Sequence, residues 1–168
     1  MVWIAGTASA SRITKMSTSP PRVVRDVMTP KPVCATPEMT VRRLASLFAE
    51  HHISGAPVVG REGKLIGVVS RTDLFRRVTL DSPNATPGYL FDLLNDQVAV
   101  ASQPVPEPLI VIGDFMAQIV VTATPDEPIG AVARRMADKR VHRVVVVDRD
   151  NRPVGMVTTL DLLRVFPA

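Results

Sequence analysis

An internal repeat constrains the fold of this chain more than any other feature of its sequence. The stretch GVVSRTDL at Gly67–Leu74 returns 88 residues later as GMVTTLDL at Gly155–Leu162. Residues 26–77 align with residues 114–165 without a gap, and sixteen of the fifty-two aligned positions are identical. A repeat of this size is one supersecondary unit used twice, so the chain is predicted to contain two copies of one fold.

Hydrophobic patterning predicts the same order of elements in both copies, with apolar runs of strand length and apolar residues at helical spacing. The predicted elements of the first copy are an extended segment at 33–35, a helix from Thr40 to about His51, strands at 56–59 and 65–69, and a helix from Ser70. Those of the second copy are a strand at 119–122, a helix after Pro128, strands at 144–147 and 154–157, and a helix from Thr158. The predicted class is α/β (α+β), with two pseudo-symmetric β-α-β-β-α units.

The segments outside the two copies define the predicted domain limits. We expect a disordered leader at 1–22, the first repeat at 23–80, a connector at 81–110 and the second repeat at 111–168. The leader has no basic residue ahead of its short apolar run, which is unlike a signal peptide, and Met16 is an alternative start. The connector includes a possible short helix at Tyr89–Asn95 and three alternate prolines at 104–108, which cannot be helical.

Composition excludes several classes of protein. Apolar residues make up 46% of the chain, enough for a packed core, and the net charge of +4 is too small and scattered for a nucleic-acid surface. No apolar run approaches the length of a membrane helix, so no membrane partner is expected. Cys34 is the only cysteine, which excludes a disulfide framework and favours the cytoplasm. His51 and His52 lack a third ligand nearby in sequence, so no metal site is predicted.

The repeated motif [Ser/Thr]-x-x-Asp, at Ser70–Asp73 and Thr158–Asp161, has two interpretations. In the first, it is a capping box, whose hydroxyl and carboxylate bind the first free amides of their own helix. In the second, the helix amino terminus attracts a phosphate and the aspartate accepts hydrogen bonds from two ribose hydroxyls. No nucleophile elbow, phosphate loop or metal motif is present, so an enzyme is not predicted.

Taken together, the motifs resemble one known family. Each copy opens near a methionine and a Thr-Pro turn and closes with Gly-x-x-[Ser/Thr]-x-x-Asp, and the stretches His52–Val59 and His142–Asp148 are also typical of it. The chain is similar to a tandem cystathionine-β-synthase (CBS) domain pair, or Bateman module, over about residues 23–80 and 111–166. The repeat predicts that the two copies pack face to face about a pseudo-twofold axis, with the strands of each copy forming a small sheet covered by its two helices. The resemblance implies that they form one Bateman module.

The same resemblance implies a regulatory function. Members of the family bind adenosyl compounds such as AMP, ADP, ATP, NAD or S-adenosylmethionine in clefts between the repeats and signal to an enzyme, transporter or channel. Here the expectation is a stand-alone pair with no catalytic cofactor that signals to a separate effector protein. Two alternatives remain open: a purely structural dimerisation module without ligand, and a regulatory subunit of a nucleotide-metabolism enzyme.

The resemblance also implies two ligand sites, each made from both repeats. One is expected to contain Val68, Ser70, Thr72, Asp73, Gln118, Ile119, Val141 and His142, with Arg143 beside it. The other is expected to contain Met156, Thr158, Leu160, Asp161, Pro30, Lys31, Ile53 and Ser54. Because Leu160 replaces the hydroxyl of Thr72, the Asp73 site is expected to bind phosphorylated adenosine more tightly.

A surplus of apolar side chains on the predicted helices suggests a homodimer. More apolar residues lie on these helices than a small sheet can cover, so a helical face is expected to pair with a second chain. The residues concerned are Phe48, Leu74, Phe75, Met136, Leu162 and Leu163.

Overall fold

The computed structural model describes residues 22–81 and 110–164. Almost all of the predicted leader, the connector and the helix predicted at Tyr89–Asn95 lie outside these residues. The strands are β1 (Thr29–Pro30), β2 (Gly55–Val59), β3 (Leu65–Ser70), β4 (Thr122–Ala123), β5 (Arg143–Val147) and β6 (Pro153–Thr158). The helices are α1 (Val41–Glu50), α2 (Arg71–Asp81), α3 (Ile129–Lys139) and α4 (Thr159–Leu163), with short 3₁₀ turns at Val24–Asp26 and Ile112–Asp114.

The two repeats have the same internal topology, as the sequence predicts. In each, two strands form an antiparallel hairpin, β2 with β3 and β5 with β6. A short extended segment lies parallel to the first strand of each hairpin, as β4 beside β5 and as a single bridge from Ala35 to Val58. The strand predicted at 119–122 is shorter and lies later, because only Thr122 and Ala123 pair with β5.

Helix α1 shows how local sequence sets these elements. Thr40 caps it, and its Oγ1 accepts a hydrogen bond from the Arg43 amide at 3.3 Å. Leu44, Leu47 and Phe48 follow at spacings of three and four residues and are all buried, so one face of the helix covers the sheet. The predicted helix limits, Thr40 to about His51, are confirmed within one residue of the observed bounds.

The leading segment of each repeat packs on the other repeat. Strand β1 of the first repeat pairs antiparallel with β6 of the second, so the larger sheet has the order β1-β6-β5-β4. In the second repeat, Ala117 forms the equivalent bridge to Val68, with both backbone hydrogen bonds at 2.9 Å. We expected the strands of each copy to form their own sheet, and that expectation omitted this exchange.

The exchange extends into both hydrophobic cores. Val24, from the start of the first repeat, is fully buried among residues of the second repeat, including Val132 and Val157. Ile112, its equivalent 88 residues later, is fully buried among residues of the first repeat, including Leu44. Burying an aliphatic side chain of this size stabilises the fold by about 1.5–3 kcal/mol, so each core depends on a residue from the other repeat.

A third apolar cluster lies between the repeats. Leu65 of β3 packs with Val145 and Val147 of β5, and partly buried residues, including Met156, surround them. The second hairpin turn adds a polar contact, because Asn151 Nδ2 donates to the Leu65 carbonyl oxygen at 3.1 Å and the Leu65 amide donates to the Asn151 carbonyl at 2.8 Å. The hairpin ends of the two repeats are therefore fixed against each other.

Candidate functional site

Both repeated aspartates form capping boxes. Asp73 Oδ2 accepts hydrogen bonds from the Ser70 amide at 2.9 Å and the Ser70 hydroxyl at 2.6 Å, while the Asp73 amide donates to Ser70 Oγ at 3.3 Å. Asp161 Oδ2 is bound in the same way by Thr158, at 2.8 Å and 2.7 Å, with the return bond at 3.3 Å. The capping-box interpretation is therefore confirmed for one oxygen of each carboxylate.

The cap fixes the direction of each carboxylate. Two hydrogen bonds hold Oδ2 of Asp73 on the first turn of the helix, and the Asp73 amide donates a third to Ser70 Oγ, so Oδ1 has a defined position at the helix start. Both aspartates are partly buried, and a carboxylate oxygen held in place is well suited to accept hydroxyl hydrogen bonds from a ligand. The structural role and the ligand role use different oxygens, and both can hold for the same residue.

Arg143 joins the two repeats at the start of β5. Its Nη2 donates to Ser54 Oγ at 3.1 Å, and its Nη1 lies against Gly55, in space that a Cβ at that position would need. Burial lowers the pKa of the Arg143 guanidinium, and the negative charge of Asp73 opposes that shift. A partly buried cation of one repeat therefore lies near the capped aspartate of the other.

The strand ends bring the caps and the strand entrances together. Gly55 lies opposite Ser70 in the first hairpin, and Arg143 lies opposite Thr158 in the second. The Ser54 carbonyl accepts from the Arg71 amide at 3.1 Å, and the His142 carbonyl accepts from the Thr159 amide at 3.0 Å. Ser54 therefore lies at the start of α2, the Asp73 helix, and His142 at the start of α4, the Asp161 helix. The resemblance assigns Ser54 to the Asp161 set and His142 to the Asp73 set, but the backbone of each residue lies at the helix of its own repeat instead.

The exchanged segments supply further predicted residues. Pro30 pairs with Gly155 and lies beside Met156, and the Lys31 amide donates to the Val154 carbonyl at 3.1 Å. Gln118 directly follows the residue that bridges to Val68. The structure therefore brings Pro30 and Lys31 to the strand that precedes Asp161, and Gln118 to the strand that precedes Asp73, as the two predicted sets require.

The remaining predicted residues divide into exposed and packed side chains. Thr72 and Leu160 lie in the first turns of α2 and α4, and both are exposed. Ile119 is 95% exposed, so an apolar face of a ligand that packed on it would remove apolar side-chain surface from water, which favours binding. Ile53 and Val141 instead are partly buried and pack against the cores of their own repeats. Their backbone remains next to Ser54 and His142, but their side chains contribute to the cores.

Three glycines that we did not place in the candidate sites make their geometry possible. A Cβ at Gly67 would meet Met116 Sδ at 2.8 Å and the Ala117 carbonyl oxygen at 3.0 Å. A Cβ at Gly155 would clash with Met28 Sδ in the same way, and Gly55 leaves room for Arg143. The repetition of Gly67 as Gly155 was a usable sequence signal, because a glycine kept in both copies indicates a close approach of backbone.

Other kinds of site have no support in the part of the chain that the structure describes. Within residues 22–81 and 110–164, no group of three or more His, Cys, Asp or Glu residues could hold a metal ion. Among the same residues, no helix is long and apolar enough to cross a membrane. Burial raises the pKa of the Cys34 thiol, which favours the neutral form over the reactive thiolate.

The comparison with protein families agrees with the repeat. A family model described as "CBS domain" matches residues 24–80 and residues 112–168. The chain belongs to the CBS domain family. The fold predicted from the resemblance, two CBS repeats packed as one Bateman module, is confirmed by this match and by the solved structures that follow.

Two solved CBS structures contain adenosyl ligands. The CBS domain pair of protein MJ0100, in complex with 5′-methylthioadenosine and S-adenosyl-L-methionine, has 26% sequence identity and a TM-score of 0.68, covering 88% of this chain and 97% of that chain. The CBS-pair protein CBSX2 from Arabidopsis thaliana, in complex with AMP, has 26% identity and a TM-score of 0.62, covering 84% of this chain and 93% of that chain.

Some sequence relatives of this CBS pair are much longer proteins. The L-aspartate semialdehyde sulfurtransferase of Methanocaldococcus jannaschii is 26% identical over 148 residues, which are 88% of this chain and 24% of that protein. The homoserine O-acetyltransferase of Methanohalobium evestigatum is 28% identical over 143 residues, which are 85% of this chain and again 24% of the relative. The chain thus spans about a quarter of the length of these enzymes.

Proposed function

We propose that this CBS pair is a non-catalytic regulatory module that binds an adenosyl compound in the clefts between its repeats. The observation that carries the proposal is the pair of capped aspartates. Each cap holds Asp73 or Asp161 by Oδ2 at the start of a helix, beside a segment of the other repeat. Such a cleft offers a fixed acceptor for ribose hydroxyls, strand backbone for an adenine edge and a helix amino terminus for a phosphate.

The proposed ligand class is AMP, ADP, ATP, NAD or S-adenosylmethionine. Support comes from the ligands named for the two solved CBS pairs above, which share the adenosine group and differ in what is attached to it. The acceptor position of the aspartates suits the shared ribose, and Arg143 suits an attached phosphate at the Asp73 cleft.

A thermal-shift screen tests ligand binding directly. A compound that binds only the folded chain stabilises it, by about 2.7 kcal/mol at a hundred times its dissociation constant, so the unfolding midpoint must rise. We expect AMP and ATP to raise the midpoint and uridine monophosphate to have little effect. If none of the five adenosyl compounds changes the midpoint at millimolar concentration, the structural dimerisation module becomes the better interpretation.

The proposed partners are a second copy of the chain and an effector protein. Of the six apolar residues expected to form a dimer face, Phe48, Leu74, Met136 and Leu162 are buried within the chain, which corrects that expectation. Phe75 and Leu163 remain 42% and 57% exposed, and Leu160 on α4 is 65% exposed. Apolar residues exposed on α2 and α4 support a helical dimer face that is smaller than the sequence suggested.

The effector and the cellular location complete the proposal. A CBS pair without catalytic residues regulates by changing its contacts with another protein when ligand is bound. We propose a separate effector protein of this kind, with a regulatory subunit of a nucleotide-metabolism enzyme as the specific alternative. The reduced, partly buried Cys34 fits the cytoplasm as the expected location.

A further inference from the structure

Gly55 and Arg143 occupy equivalent positions in the two repeats and meet each other. They are 88 residues apart, the spacing of the repeat, and the Arg143 guanidinium lies against Gly55 with Nη2 3.1 Å from Ser54 Oγ. In a twofold arrangement, only residues close to the axis contact their own equivalents. If the two repeats were identical, two copies of the same side chain would meet at this point. In this chain one position is Arg143, and the other is Gly55, which has no side chain and leaves room for the guanidinium.

Arg143 therefore extends from one cap to the other. Its backbone is opposite Thr158, which caps α4 with Asp161. Its side chain reaches Gly55, which is opposite Ser70, the residue that caps α2 with Asp73. The backbone of Arg143 thus lies beside the Asp161 cleft, and its guanidinium lies beside the Asp73 cleft, near the charge of Asp73.

Other cations near the Asp161 cleft are more exposed. Arg164 Nη1 lies 3.7 Å from Asp161 Oδ1, but 80% of the Arg164 side chain is exposed, and Lys31 on the Pro30 side is also exposed. Water and salt weaken charge interactions at exposed groups, while a partly buried guanidinium retains more of its attraction for an anion. Of Arg143, Arg164 and Lys31, Arg143 is therefore the strongest phosphate ligand.

We propose that the two clefts share Arg143, so that the chain binds one phosphorylated adenosyl ligand, in the Asp73 cleft, and favours a phosphate-free adenosyl ligand in the Asp161 cleft. The inference rests on the proposed function, because it assumes that both clefts accept adenosine. A second phosphate near the axis meets the charge of the first phosphate, and the cations on its own side, Lys31 and Arg164, are exposed. The clefts are then coupled through charge, and a chain exposed to both kinds of ligand is occupied by one of each.

Calorimetric titrations of the full chain with AMP and with adenosine test this. We expect adenosine to fill two sites per chain and AMP to fill one site tightly, with the second AMP weaker by roughly ten- to a hundredfold, the range of a charge-assisted hydrogen bond. A chain saturated with AMP at the first site should still bind one adenosine. Two AMP sites of equal affinity would overturn the sharing of Arg143 while leaving the proposed function intact.

Substitution of Arg143 separates its charge from the rest of the cleft. Arg143→Gln should lower the affinity for AMP to that for adenosine and leave adenosine binding within about twofold of the parent. The matched control is Arg149→Gln, which removes the same charge from an exposed position in the turn that follows β5; it should leave both affinities unchanged. Retention of the AMP preference by Arg143→Gln would refute the proposal.

Two further outcomes are informative. If Arg143→Gln does not fold, as judged by circular dichroism, the stoichiometries of AMP and adenosine on the parent chain still decide the question. If neither AMP nor adenosine binds the parent chain, the sharing of Arg143 fails, and the thermal-shift screen over all five adenosyl compounds decides whether the proposed function fails as well.

Discussion

Adding a methyl group at Gly67 tests the exchange of segments between the repeats. The new Cβ would lie 2.8 Å from Met116 Sδ and 3.0 Å from the Ala117 carbonyl oxygen, both closer than van der Waals contact allows. The thioether can rotate away, but the carbonyl belongs to the backbone bridge between Ala117 and Val68. Gly67→Ala must therefore push the Ala117 backbone of the exchanged segment away from β3 by a few tenths of an ångström, which strains the bridge.

The expected cost follows from two independent estimates. Overpacking a well-packed site costs about 1–3 kcal/mol. The bridge consists of two backbone hydrogen bonds, each 2.9 Å long, and a net contribution of about 0.5–1.5 kcal/mol for each gives an upper limit of about the same size for the cost of straining it. Alanine also has less conformational entropy than glycine in the unfolded chain, which offsets about 0.4–1 kcal/mol of this cost. We expect a net loss of about 1–2 kcal/mol.

The measurement is the free energy of unfolding from urea denaturation, with the thermal midpoint as a second observable. A loss of about 1–2 kcal/mol corresponds to a midpoint lower by roughly 2–8 °C in a domain of this size. Gly130→Ala is the matched control, because a Cβ there meets no atom within 4 Å and Gly130 lies in helix α3. Alanine at this helical position should stabilise the chain by up to about 1 kcal/mol.

The equivalent change at Gly155 separates side-chain from backbone crowding. There the new Cβ would clash mainly with the flexible Met28 side chain, and the nearest backbone atom, the Thr29 oxygen, is 3.3 Å away. In a double-mutant cycle, Met28→Ala should therefore offset more of the cost of Gly155→Ala than Met116→Ala offsets for Gly67→Ala. A Gly67→Ala variant as stable as Gly130→Ala would refute the close approach of the exchanged segment.

Three further predictions concern binding and assembly. In a calorimetric titration, Asp73→Ala should weaken AMP binding at the tighter site by about 1.5–3 kcal/mol, roughly ten- to a hundredfold. Asp161→Ala removes the same kind of cap but should leave that site largely intact, so equal effects of the two changes would contradict the assignment. A fragment of residues 111–168 should show no cooperative unfolding by calorimetry, because its core lacks Val24. Light scattering should give about twice the chain mass of 18.2 kDa, and Phe75→Glu should reduce it to the monomer; a monomeric parent chain would exclude the dimer.

Local sequence determined the units of this protein. The exact spacing of 88 residues between the two GxxxxxD stretches predicted two copies of one fold, and helical spacing from Thr40 located α1 to within a residue. The capping boxes at Ser70 and Thr158 were also readable, because a hydroxyl and a carboxylate three residues apart interact within a single turn. These features depend on contacts between residues close in sequence, so sequence patterns describe them well.

No local pattern decided which repeat each leading segment pairs with. The family resemblance implied it through the two site sets, and the tertiary structure shows the pairing itself. Thr29 and Pro30 form a strand of two residues, too short to show periodicity, and their partners Met156 and Gly155 are more than a hundred residues away. Repeat symmetry permits pairing within a copy or between copies, since Gly67 and Gly155 accept either leading segment. The burial of Val24 in the second core and Ile112 in the first, and the fit of Arg143 against Gly55, are long-range contacts that no local pattern encodes.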